Sequence, residues 1–205
     1  MVSEERVIVR TLRPADIPSV VELQREAFPP PFSEALLWKP EHLARHLAVA
    51  PALQFVAEVN GTLLGSCSNC ILSENAWRTP STWDGMVGGP FLERHDDLGT
   101  TLFGLDISIH PVHRRKGIGR QFYQTRFRAV QDLGLRRYGT ASRLPDLQES
   151  NLDIKEYVQA VLAGDRVDRT LTPLLRYGLS CVASMENFME DPESRDSAAL
   201  LEWKP

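Results

Sequence analysis

Cysteine is scarce in this chain, with three thiols in 205 residues, and that excludes a disulfide-stapled scaffold. Cys67 and Cys70 form a Cys-x-x-Cys, but they lie in a strand-like run, Leu63 to Leu72, with no second pair and no nearby histidine to complete a zinc site. Three positions apart on a strand they point to opposite faces, so they read as reduced thiols, one of them buried. Long apolar runs are missing too, and none approaches the roughly 20 residues of a membrane-spanning helix. The start, Met1-Val2-Ser3-Glu4-Glu5-Arg6, is too charged for a signal peptide, so a cytoplasmic protein without a membrane partner is expected. An excess of one charge sign is also missing. The formal net charge is −4, which offers nucleic acid no basic sheath. No internal repeat, low-complexity segment or metal-ligand cluster stands out.

What remains is the composition of an ordinary globular protein, 42% hydrophobic and 24% charged. A chain of this length fits a single domain over 1–205 that buries roughly 70% of its unfolded surface. Its most informative stretch runs from Ile107 to Phe122. An alternating strand, Ile107-Ser108-Ile109-His110, enters the turn Pro111-Val112-His113-Arg114-Arg115-Lys116-Gly117-Ile118-Gly119-Arg120, and a helix follows at once. Gly117 and Gly119 let the backbone bend sharply and come close to a ligand. The first N–H groups of the helix have no intrahelical partners and lie at the positive end of its dipole. A pyrophosphate there would find several backbone donors, with Arg114, Arg115, Lys116 and Arg120 around it. Two other phosphate motifs fit worse. There is no Gly-x-x-x-x-Gly-Lys-Ser/Thr, and Gly117-Ile118-Gly119 continues without the third glycine of a dinucleotide fingerprint.

Arg114 to Gly119 reads Arg-x-x-Gly-x-Gly, which resembles the acetyl-CoA signature of the GCN5-related N-acetyltransferase superfamily. The flanks agree. Ile107, Ile109 and Pro111 precede it as in the family's fourth strand, and Ile118, Phe122, Thr125, Ala129 and Leu133 mark one helical face after it, with Gly134 at the helix end. The other expected elements follow the family's order. They are a strand from Arg6 to Leu12 and a helix capped by Asp16 that Pro29-Pro30-Pro31 stops. A helix from Pro40 to Ala48 comes next, then a hairpin from Gln54 to Leu72 about Asn60-Gly61. Strands follow at Thr100 to Ile109, Arg137 to Ala141, Leu179 to Asn187 and Ala198 to Trp203, with a short helix from Leu171 to Tyr177. The resemblance implies an α/β (α+β) fold, a mixed and mostly antiparallel seven-stranded sheet flanked by helices, with strands four and five splayed. It implies acetyl-CoA as cofactor, Ile107, Ser108 and Ile109 beside its pantetheine arm, and Arg114, Arg115, Lys116, Gly117, Ile118, Gly119 and Arg120 around its pyrophosphate.

Two insertions exceed the minimal family plan. Ser73 to Gly99 reads as a long loop carrying Trp77, Trp83, Met86 and Phe91, either a substrate wall or a loop pinned to the body. Arg143 to Thr170 holds an expected helix, Ile154 to Ala163. Leu144-Pro145, Glu156-Tyr157-Val158 and Asp191-Pro192-Glu193-Ser194 resemble acetyltransferase domains joined to carbon–nitrogen hydrolases.

For the chemistry the resemblance implies, Asp106 is the candidate base, on strand four beside the expected thioester. Alternation puts it on one face with Ser108 and His110, opposite Leu105, Ile107 and Ile109. A carboxylate bonded to a neighbouring loop or helix is the competing reading. The family's usual acid is a tyrosine four residues before a Gly-Phe pair. Here the pair is Gly178-Leu179 and Leu174 takes that place, leaving Tyr177 and Tyr157 as candidates. The activity implied is acetyl transfer to the primary amine of a small molecule or peptide. A weakly catalytic acyl-CoA-binding regulatory domain is the alternative, and a nucleic-acid contact at the basic turn is a third reading that the net charge disfavours. Glu34, Asp84, Glu93, Asp96, Asp97, Glu190 and Asp191 would favour a cationic acceptor if several converge. Family members often dimerise, so a homodimer is a state to test.

Overall fold

Strand-forming runs separated by amphipathic helices build one mixed sheet. The computed structural model describes residues 6–30 and 32–205, so Pro31 of the expected proline stop and residues 1–5 lie outside the described residues. The strands are β1 (Ile8–Thr11), β2 (Phe55–Val59), β3 (Thr62–Leu72), β4 (Thr101–Ile109), β5 (Arg137–Ser142), β6 (Ser180–Met185) and β7 (Ala198–Trp203). They form a seven-stranded sheet in the order β1-β2-β3-β4-β5-β7-β6. Only the β4–β5 pair is parallel. At the β2–β3 hairpin Asn60 and Gly61 have φ of 50° and 82°, the left-handed backbone that a two-residue loop between twisted strands requires.

One face of the sheet is covered by α1 (Ile17–Ala27) and α2 (Pro40–Val49), whose Val20 and Leu43 pack with Leu12, Trp38 and Val56. On that side the insertion contributes α3 (Glu74–Arg78) and α4 (Trp83–Val87), burying Trp77, Met86 and Val87 against Cys70, Phe103 and Leu200. The opposite face carries α5 (Ile118–Asp132), α6 (Ile154–Ala163) and α7 (Leu171–Arg176) over Leu102, Tyr138 and Leu201.

The expectations change in four places. Ser73 to Gly99 is no plain loop, because the hydroxyls of Ser73 and Thr82 accept the N–H groups of Ala76 and Gly85, each at 3.1 Å, and start two short helices. Asp16 does not cap α1 with its side chain. Its carboxylate accepts from Arg10 at 2.7 and 3.0 Å and from the Arg13 N–H at 2.7 Å. The buried face of α5 is Ile118, Phe122, Tyr123, Arg126 and Val130, a stripe advancing four residues per turn that leaves Leu133 52% exposed. Finally, Cys67 and Cys70 do point to opposite faces, but both are buried. Burial pushes the Cys67 thiol up to about 11 and the Cys70 thiol higher still, so neither is a ready thiolate.

Two stability tests follow from this packing. A methyl group on Gly104 of β4 would stand 2.1 Å from the Tyr138 hydroxyl and 3.1 Å from Arg126 Cζ. Gly104→Ala should therefore lower unfolding free energy by about 1–3 kcal/mol in urea titrations. His46 on α2 is buried, with Nε2 2.9 Å from the Pro90 carbonyl of the insertion. Burial pushes it down from 6.5 to about 4. The unfolded chain binds a proton there first, so stability should fall as pH drops from 6.5 towards 4. The His46 share of that loss is about 3 kcal/mol, and His46→Gln should flatten the pH dependence by that amount.

Candidate functional site

β4 and β5 are paired from Thr101–Arg137 to Gly104–Thr140 and no further. Just past that point β4 bulges. Ser68 of β3 faces Asp106 and Asn69 faces Gly104, which leaves Leu105 as the extra residue. A bulge bends its strand and raises the local twist, turning β4 away from β5. From Leu105 to Ile109 the edge of β4 towards β5 has no strand partner, and this is the splay expected between strands four and five.

The split leads to the basic turn. Pro111–His113 form a 3-10 turn, Arg115 has φ of 62°, and Gly117, with φ of 83°, stands at the N-cap of α5. No side chain caps α5. The first N–H of this end to return to a backbone carbonyl is that of Gln121, to Gly117 O at 3.1 Å. A Cβ on Gly117 would meet nothing within 4 Å, while one on Gly119 would lie 3.6 Å from Ile109 Cδ1 and 3.9 Å from the Tyr177 hydroxyl. Arg115, Lys116 and Arg120 are exposed around this open cradle, which fits a polyphosphate anion. Ile118 is buried against Phe122 and offers only its backbone.

Arg114 departs from its expected place among the free cations. Its Nε donates to Ile109 O at 3.2 Å, its Nη2 donates to Ala27 O at 2.5 Å, and its N–H donates to Pro111 O at 3.3 Å. The side chain is a strut from the turn to the C-terminal carbonyl of α1.

Asp106 stands at the other end of the unpaired edge. Its carboxylate accepts the Ser68 N–H at 3.0 Å and faces the Ser108 hydroxyl at 3.4 Å. Burial pushes the carboxyl above the usual carboxylate range, against the opposing pull of the Trp38 side chain, Arg126 and Ser68. Ile107 and Ile109 pack with Phe122 on the α5 side, whereas Leu105 packs with Trp38 and Trp83 on the α1 side. Strict alternation had set Leu105 opposite Asp106, and the bulge turns both to one side. His110 Nε2 lies 2.9 Å from Glu26 of α1.

Three segments meet above Asp106. Trp38, from the connection after α1, has its ring 5.9 Å from that of Trp83 in the insertion. The Trp83 N–H donates to Phe188 O at 2.8 Å in the β6–β7 connection. Arg143, just past β5, lies over the Phe32 ring at 5.1 Å and is paired with Asp191 and Glu193. Three of the acids named from the sequence are held by local partners. Asp191 is held by Arg143, Asp97 by His95, and Asp96 accepts the Leu98 N–H.

Tyr177 places its hydroxyl beside Gly119, at the turn end of the edge, and its ring 5.3 Å from that of Tyr123. It is not brought together with Asp106. Tyr157 is structural, since its hydroxyl donates at 2.8 Å to the buried Asp168, whose carboxylate also accepts the N–H groups of Thr170 and Leu171. Leu174 is buried in the core. The sequence reading missed Arg143 and above all Arg126, although a lone arginine in the stripe Ile118, Phe122, Val130 was a visible signal.

Comparisons with known proteins agree with this geometry. The acetyltransferase (GNAT) family model matches residues 17–151. An "Uncharacterized N-acetyltransferase YkwB" of Bacillus subtilis (strain 168) is 33% identical over 202 residues, 98% of this chain and 89% of that protein. A "Probable hydrolase YhcX" of the same organism is 28% identical over 203 residues, but the chain spans 39% of its length. Among solved structures, the GphF GNAT-like decarboxylase in complex with isobutyryl-CoA superposes with a TM-score of 0.81 at 20% identity, covering 96% of this chain and 98% of that one. The strand order, the splay and these likenesses together establish that the chain belongs to the GNAT family of acetyltransferases.

Proposed function

We propose that this acetyltransferase takes acetyl-CoA as donor and a primary amine of a small molecule or peptide as acceptor, in one domain over 1–205. The observation that carries the reading is the unpaired edge of β4, running from the open cradle at Gly117 to the half-buried carboxyl of Asp106. The N–H groups of Ile118, Gly119 and Arg120, with the Arg115, Lys116 and Arg120 side chains, hold the pyrophosphate. Ile107, Ser108 and Ile109 line the pantetheine arm, and Tyr177 closes it from α7. When bound, acetyl-CoA would supply a thioester whose acyl carbon accepts the neutral amine as its C–S bond breaks, CoA leaving as a thiolate that takes up the proton the nitrogen then loses. Asp106 removes the ammonium proton, and held geometry supplies much of the rate, up to about 7–11 kcal/mol. The aromatic wall of Trp38, Trp83 and Phe32 suits an amine that carries an apolar group.

Thermal unfolding with CoA and acetyl-CoA tests the donor site. Ligand at 100 times its Kd should add about 2.7 kcal/mol of stability. Gly117→Asp, which sets a side chain and a negative charge on a φ of 83°, should abolish the shift. No shift in folded wild-type protein would refute the reading. For the base, an amine panel should show transfer rising with pH through the raised Asp106 ionisation and then levelling, because the working form is the carboxylate. Asp106→Asn should lower kcat by about 10²-fold or more with the affinity for CoA unchanged.

One observation favours a second reading. Burial stabilises the protonated form of Asp106, and a carboxyl of that kind can deliver a proton to carbon. A carboxyacyl thioester that loses CO2 breaks its C–C bond, keeps the electron pair and takes up such a proton. Conversion of malonyl-CoA to acetyl-CoA and CO2 without any acceptor would establish this reading. Binding without either turnover would instead leave a regulatory acyl-CoA binder, in keeping with Leu174 at the usual tyrosine position.

A further inference from the structure

Among the described residues Arg126 is the largest fully buried side chain, 1% exposed, on the face of α5 that otherwise carries Ile118, Phe122 and Val130. Burying a guanidinium costs several kcal/mol unless its hydrogen bonds are met, and an apolar residue would fill the stripe without that cost. The acceptors that hold it are neutral oxygens. Nε donates to Asn69 Oδ1 at 2.7 Å, and Nη2 donates to Ser68 O at 3.2 Å and Asp106 O at 2.7 Å. Ser68 and Asp106 are the facing pair of β3 and β4 that borders the bulge. One nitrogen thus bridges both strands where the regular ladder is interrupted.

The surroundings hold that nitrogen in place. Asn69 is itself fixed, its amide donating to Leu53 O at 2.5 Å and its backbone joined to Gln54 at 2.9 and 3.2 Å. The guanidinium lies 5.4 Å from the centroids of both the Tyr123 and Tyr138 rings. Gly104, the last β4 residue paired with β5, gives it room, since a Cβ there would lie 3.1 Å from Arg126 Cζ. The site thus extends beneath the strand. An arm anchored at Gly117 and laid along β4 ends where the two strands rejoin, roughly 13 Å from Ile109 at strand rise, and that end is the bulge.

We propose that Arg126 is a positioning residue for the acyl group: by clamping the Ser68 and Asp106 carbonyls from below, it fixes the bulge that aims the β4 backbone and the Asp106 carboxyl at the thioester. This rests on the donor site proposed above. Arg126 touches neither the pyrophosphate turn nor an exposed surface, so the clamp acts on the acyl end alone. The charge also favours ionised Asp106 against its burial.

The test compares wild type, Arg126→Met and Arg126→Lys in calorimetric titration with CoA, and by the 13C resonance of bound acetyl-CoA labelled at the acyl carbonyl. In the wild type that resonance should move from its free position. Arg126→Met should return it towards the free value while changing the Kd for CoA less than about threefold, and Arg126→Lys should restore part of the shift. Should the methionine variant fail to fold, Asn69→Ser, which keeps the charge and frees its Nε, is read by the same two measurements. An unshifted resonance in the wild type, or an unchanged shift in a folded variant, overturns the proposal. A wild type that binds neither CoA nor acetyl-CoA refutes the donor site itself, a separate outcome.

Discussion

A parallel pair of strands that stops pairing halfway is the constraint on which the rest of the structure depends. β4 and β5 share the stretch from Thr101–Arg137 to Gly104–Thr140 and then part. An unpaired strand edge in the middle of a sheet leaves backbone donors and acceptors that must find partners or stay wet. The architecture around it keeps that edge open. The bulge at Leu105 turns β4 outward, Gly104 admits the Tyr138 hydroxyl and the Arg126 guanidinium behind it, and α5 begins beside the strand's far end. Filling the gap with a strand would bury the edge and erase the site.

The same opening accounts for the unequal treatment of charge on its two sides. At the turn, Arg115, Lys116 and Arg120 stay in water, where a screened positive field can draw in an anion at little cost. At the bulge the ionisable groups are the half-buried Asp106 and the buried Arg126, each hydrogen-bonded to strand backbone and to a neutral side chain. Burial that raises a carboxyl above its usual range stabilises its protonated form and suits it to proton exchange. An exposed one at the turn would do no such work and would repel the anion.

The elements of this fold were largely legible in the sequence because their signals are local. Helical stripes, Asn60-Gly61 and the turn before α5 each follow from backbone chemistry within a few residues. The site was legible at one end for the same reason, since Gly117 and the cations around it are contiguous. The other end was not. Alternation gave Leu105 the wrong side because a bulge is a relation between two strands, with Ser68 and Asn69 as much its cause as β4 itself. Arg114 looked like a free cation until α1, far earlier in the chain, was seen to offer it the Ala27 carbonyl. Tyr157 resembled an acid candidate until Asp168 was found against its hydroxyl. The short helices in the insertion were hidden differently, since Ser73 and Thr82 are good caps in a stretch whose glycines and prolines suggested a loop.

A sheet whose two portions meet across so short a shared stretch is mechanically a pair of plates on a hinge. β1 to β4 make one plate and β5 to β7 the other, with α5 fastened to both through Phe122 on one side and Val130 on the other. Whatever lies in the gap and bonds to the β4 edge takes the place of the missing rungs, so it adds stiffness to the whole molecule as well as contacts at one spot. Occupancy of the cleft then sets how rigidly the first plate, which carries Trp38 and Asp106, is held against the second, which carries Arg143.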